Sequence, residues 1–179
     1  MLTVSIRLSR SRIPPQWRKM MKASPTLASN LQMVLTDLIE LHLQGKQAHW
    51  NLVGTNFRDL HLQLDEIIAA ARLFADQTAE RMRALHALPD GRSSTVSSGS
   101  RLEEFPQGLV TTKDTVKMIT GRLERTVQTM RDVHDEVDEE DPTSADLLHA
   151  AIERLEQLAW MVNAETMAPT ASVTEPGDK

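Results

Sequence analysis

The sequence has no cysteine and no tyrosine, and only three tryptophans and three phenylalanines. Without cysteine, neither a disulfide framework nor a thiolate metal site is possible, which fits a reducing cytoplasm. No apolar run approaches the ~20 residues that a membrane span needs, so no membrane partner is expected. Glycine-rich phosphate loops, an alternating strand pattern and a solenoid-period repeat are all missing, which sets aside nucleotide enzymes and repeat folds. Acid is missing from one region: residues 1–22 contain Arg7, Arg10, Arg12, Arg18, Lys19 and Lys22 and no carboxylate. From residue 23 onward 14 basic residues face 25 acidic ones, so a basic tail precedes an acidic body.

What remains is frequent Leu, Ala, Met, Glu and Arg, the composition of an all-α protein. Apolar residues at spacings of three and four begin after Ser24-Pro25-Thr26 (Leu31, Val34, Leu35, Leu38) and run to Trp50, with Gly54 as the expected stop. Asn56 reads as the cap of a second helix through Leu60, Leu64, Ile67, Ala71, Phe74 and Met82, ending before Pro89-Asp90-Gly91. A short connection makes these two helices antiparallel neighbours. Residues 89–111 form a long crossover with room for a short helix around 94–104. Thr111 and Asp114 open a third long helix, which stops at Asp141-Pro142. A fourth, capped by Thr143 or Ser144, ends before Pro169. Two helical hairpins joined by one crossover is ferritin-like connectivity. The expected divisions are a basic tail (1–29), a four-helix bundle (30–167) and a short C-terminal tail (168–179).

The second helix carries two pairs of potential metal ligands, His61 with Asp65 and Asp76 with Glu80, each four residues apart and so on one face. At ~100° per residue, with Asp65 at zero, His61 falls near −40°, Asp76 near +20° and Glu80 near +60°. The pair centres lie roughly 22 Å apart along the axis, far beyond the reach of one ion with ligand bonds of ~2 Å. An antiparallel second copy of the helix, crossing near Ala70 and Ala71, would bring each pair to the complementary pair and create two identical sites per two-fold dimer. Such pairs also occur on solvated helix surface, and the donor set suits Fe, Mn or Zn alike.

The stretch Lys46-Gln-Ala-His49-Trp50-Asn51-Leu-Val-Gly54-Thr-Asn-Phe57, followed by His61, Asp65, Asp76 and Ala79-Glu80-Arg81, resembles the signature of the Dps family of bacterial mini-ferritins. The likeness covers roughly residues 30–167, including Ala145-Asp146-Leu147-Leu148 and Trp160. It implies a ferroxidase in which His49, His61 and Asp65 of one subunit and Asp76 and Glu80 of its two-fold mate hold iron. It also implies hydrogen peroxide as the oxidant, ferric mineral stored in a hollow dodecamer, and a cytoplasmic, nucleoid-associated protein. Trp50 reads either as a sink for stray oxidising equivalents or as a packed aromatic beside a ligand. The acidic residues Asp138, Glu139, Glu140, Asp141 and Asp146 read either as a solvated loop or, by the resemblance, as the lining of a three-fold pore that concentrates Fe(II). Full-size ferritin chemistry, built on Glu-x-x-His pairs, is disfavoured because no such pair occurs in the chain.

The basic tail has three readings: non-specific DNA binding through Arg7, Arg10, Arg12, Arg18, Lys19 and Lys22, a strand or neighbour contact through Val4, Ile6 and Leu8, and a targeting peptide. Two functional classes stay open. One is an iron-oxidising storage shell; the other is chiefly a DNA-compacting stress protein with secondary iron chemistry.

Overall fold

The computed structural model describes residues 22–170, and Ser24 is the cap of its first helix. Its hydroxyl accepts from the Leu27 amide at 3.1 Å, and Pro25, which has no amide hydrogen to leave unpaired, occupies the first turn. Helix α1 (Pro25–Asn51) follows, with Leu27, Leu31, Val34, Leu38, Leu41 and Ala48 buried along one stripe. The chain reverses through Gly54 (φ 123°) and Asn56 (φ 59°), both in left-handed conformation, and enters α2 (Phe57–Ala84). Asn56 stands at the cap position, but its side chain does not cap; its amide donates instead to Glu165 at 3.1 Å.

Helix α2 stops five residues before Pro89. His86 adopts a left-handed conformation (φ 61°), and the Ala87 amide donates back to the Met82 carbonyl at 2.9 Å. This closing bond satisfies an end-of-helix carbonyl, so local backbone geometry rather than the proline ends the helix.

The crossover holds a short helix, α3 (Ser93–Gly99), shorter than the sequence suggested. It also holds a feature absent from the sequence pattern. Strand β1 (Leu52–Val53) pairs in parallel with β2 (Val110–Thr111). This two-residue pairing ties the end of the crossover to the α1–α2 turn. Thr111 then caps α4 (Thr112–Glu140), its hydroxyl accepting from the Asp114 amide at 3.1 Å. A single residue, Asp141, separates α4 from α5 (Pro142–Ala164) and is the cap of α5, in place of the expected Thr143 or Ser144. Pro142 takes the first turn, and Ser144 donates its hydroxyl to the Asp141 carboxylate.

The α1–α2 and α4–α5 hairpins pack on each other around one apolar core, with α1 against α4 and α2 against α5. Among the described residues no helix is long and apolar enough to cross a membrane.

Buried polar groups fasten the crossover to this core. The fully buried Asp37 carboxylate accepts from the Arg101 amide at 2.9 Å and from the Thr129 hydroxyl at 2.7 Å. Arg122, also buried, donates to the carbonyls of Glu103 and Glu104 at 3.0 and 3.1 Å and to the side chain of Gln44. Buried charge is tolerated only when bonded in this way.

Candidate metal centre

His49 projects from the last turn of α1 and His61 from the first turns of α2, and the short reversal between the helices brings them together. Their rings stack with centroids 3.6 Å apart, and Phe57 stacks on the outer face of His61 at 5.1 Å. Each Nδ1 lies 3.1 Å from the backbone carbonyl of the other histidine. A carbonyl oxygen only accepts, so both Nδ1 atoms carry hydrogen, and in the neutral rings the Nε2 atoms are left with the lone pairs. Second-shell bonds of this kind hold a metal-ligating histidine in the right tautomer.

Asp65, one turn beyond His61, places Oδ1 3.4 Å from the Nδ1 of His49. Lys46 donates to the same oxygen at 2.8 Å. That bond, with the positive charge of Lys46, holds the Asp65 carboxyl below its ordinary range against the opposing effect of burial. Lys46 went unassigned in the sequence reading. Its spacing of three from His49 puts it on the same helical face, which is the signal that could have drawn it in.

Asp76 and Glu80 sit at the other end of α2 and are exposed. They do not meet the histidines within the subunit. Among the described residues no group of three or more His, Cys, Asp or Glu side chains is placed to hold a metal ion. Between the two ligand sets Leu62 and Leu73 are 49% and 53% exposed and Ala69 is exposed, with the charged Glu66 and Arg72 exposed beside them. At ~100° per residue Leu62, Ala69 and Leu73 lie within about 80° of Asp65, on the same side as Asp76 and Glu80. Ala70 and Ala71, expected to mark the crossing of two copies, are instead buried inside the subunit. A cleft of about 670 Å³ opens beside Asp76, walled by Ile39, Ala69, Leu73 and Ala79.

Trp50 is 69% exposed, so within the subunit it is not a packed aromatic. The acidic residues divide. Asp138, Glu139 and Asp146 are exposed. Glu140 accepts from the Ser24 amide at 2.7 Å, and Asp141 accepts Arg81 in a two-pronged ion pair at 2.7 and 2.8 Å. Of the basic residues, Lys22 is exposed, while Arg7, Arg10, Arg12, Arg18 and Lys19 lie outside the described residues.

Two hairpins, a crossover and carboxylate–imidazole donors along the bundle define a class, and residues 28–167 match the family model of the ferritin-like domain. The chain is 37% identical over 134 residues to DNA protection during starvation protein 2 of Deinococcus radiodurans, covering 75% of this chain and 56% of that relative. It thus spans just over half of that relative's length. It is 38% identical over 138 residues to the fine tangled pili major subunit of Haemophilus ducreyi, covering 77% and 73%. The crystal structure of Dps92 from Deinococcus radiodurans superposes with a TM-score of 0.76 at 34% identity, covering 82% of this chain and 87% of that one. The chain belongs to the Dps family of ferritin-like proteins.

Proposed function

We propose that the protein is an iron-storing ferroxidase that oxidises Fe(II) at sites shared across a two-fold axis. The observation that carries this reading is the division of the donors. His49, His61 and Asp65 cluster at one end of α2, Asp76 and Glu80 stand exposed near the other, and a surface of exposed Leu62, Ala69 and Leu73 flanked by Glu66 and Arg72 lies between. An isologous partner on that face completes two identical centres. Fe(II) is the substrate. The Nε2 atoms of His49 and His61 would bind it, and the carboxylates of Asp65, Asp76 and Glu80 would offset its charge and favour Fe(III). Hydrogen peroxide is the oxidant we assign, and the product is a ferric mineral inside a closed shell, for which the family suggests twelve subunits. Consuming Fe(II) and peroxide together protects DNA from hydroxyl radical. The exposed Asp138, Glu139 and Asp146 are the pore-lining carboxylates of this reading.

Complementation tests it. A subunit with His61→Ala and Asp65→Ala and a subunit with Asp76→Ala and Glu80→Ala should each oxidise Fe(II) no faster than buffer. Refolded together, the mixed dimers carry one intact centre out of two, and oxidation should return. If the mixture stays inactive while assembled, or if either parent is active, the shared centre is refuted.

The basic tail supports a second role in non-specific DNA binding, through phosphate neutralisation multiplied over many subunits. Deleting residues 1–22 should abolish DNA retention on a gel and leave iron oxidation intact. Retention that survives the deletion assigns DNA contact elsewhere.

A further inference from the structure

Away from the shared centre, the outer surface of the α4–α5 hairpin holds two more histidines. His134 lies in the last two turns of α4 and His149 in the second turn of α5. Their Nε2 atoms are 2.7 Å apart, with ring centroids at 4.5 Å and planes tilted by 31°. His134 Nδ1 is 3.1 Å from Asp135 Oδ1, and since a carboxylate accepts, this nitrogen carries the hydrogen. The Nε2 of a neutral His134 is therefore a bare lone pair. The Nδ1 of His149 is 3.9 Å from Asp146 Oδ1, beyond hydrogen-bond reach but close enough for the carboxylate to favour a nearby cation. The two imidazoles turn their outer nitrogens toward each other, so either a proton or a cation stands between them.

We infer that His134 and His149 form a second metal site, for a divalent first-row ion that accepts imidazole, with zinc as the test ion. Tetrahedral ligands with bonds of about 2.1 Å sit about 3.4 Å apart, so side-chain rotations that part the two Nε2 atoms from 2.7 Å would seat it between them. Two features support an ion. The carboxylate–imidazole–metal order is the usual second-shell arrangement, in which the carboxylate fixes the tautomer and raises ligand basicity. The surroundings also favour a cation: the pair lines an open cleft of about 420 Å³ with Asp135, Glu153 and Glu156, and the one cation there, Arg131, is already paired to Glu156 at 2.5 Å. No third His, Cys, Asp or Glu side chain joins the pair among the described residues, so water completes the coordination. None of these residues belongs to the proposed ferroxidase centre, and the two sites stand or fall separately.

The test counts zinc per chain by equilibrium dialysis on the assembled protein, comparing the wild type with His134→Asn/His149→Asn. The double variant should bind one zinc fewer per chain, or bind it at least tenfold more weakly, with Fe(II) oxidation unchanged. Equal stoichiometry and affinity in the two proteins overturn the site and leave the pair as two rings sharing a proton. Should the double variant fail to assemble, wild-type crystals soaked in zinc decide the matter. An anomalous peak bonded to both Nε2 atoms supports the site, and featureless density there refutes it.

Discussion

Replacing Lys46 with methionine should tighten metal binding at the shared centre. The ammonium now holds Asp65 Oδ1 at 2.8 Å, on the carboxylate assigned to the metal, and both side chains are part-exposed at 33% and 46%. Methionine keeps the apolar stem and removes the charge. An ion bound to that oxygen with a ~2 Å bond would lie within about 5 Å of an unmoved ammonium. Unit charges 4 Å apart interact by about 1 kcal/mol in water-like surroundings. A divalent ion near 5 Å is therefore opposed by about 1–2 kcal/mol, reduced by salt. If the lysine swings away instead, the ion pair is lost, at a cost of up to ~1 kcal/mol for an exposed pair. The variant should then bind the ion roughly 5- to 30-fold more tightly at low salt. Anaerobic titration with Co(II), which avoids turnover, measures this through visible absorbance, and the advantage should shrink as ionic strength rises. Unchanged or weaker binding would refute the competition and make Lys46 a positioning residue for Asp65.

Two further predictions concern the scaffold. Asp37→Ala removes the hydrogen bonds from the Arg101 amide and the Thr129 hydroxyl together with the ion pair to the Arg101 guanidinium at 3.5 Å. It should lower stability by about 2–4 kcal/mol in urea unfolding, with Asp37→Asn milder because an acceptor remains. At Gly45 an added Cβ would lie 2.8 Å from Ile68 Cγ1, where α1 and α2 approach. Overpacking costs about 1–3 kcal/mol and helix propensity returns up to ~1 kcal/mol. Gly45→Ala should therefore lower the Tm, and combined with Ile68→Ala it should cost less than the two single changes added together.

Helix starts were legible where the signal is local. Thr111 with Asp114 opens its helix as read, and the first helix starts at Pro25, slightly before the apolar period, with Ser24 as its cap. The apolar stripes were legible for the same reason, since a 3.6-residue period needs no partner to be seen. Caps that depend on a distant group were not. Ser144 turns its hydroxyl to Asp141, and Asp141 is held in turn by Arg81, 60 residues away in sequence. Nor could composition place Asp37, Gln44 and Arg122 in the core, because charged or amide side chains are buried only where the fold supplies their partners.

The sequence by itself determined the all-α class and the two hairpins and supplied the residues proposed as ligands, because periodicity, turn residues and spacing along one helix are properties of the local chain. Tertiary structure decided the rest. It stacked His49 on His61 and locked both tautomers through each other's carbonyls, set Lys46 on Asp65, and left Asp76 and Glu80 exposed. It also drew His134 and His149 from separate helices to 2.7 Å. Each of these is a contact between elements, fixed by how helices pack rather than by what any one of them contains.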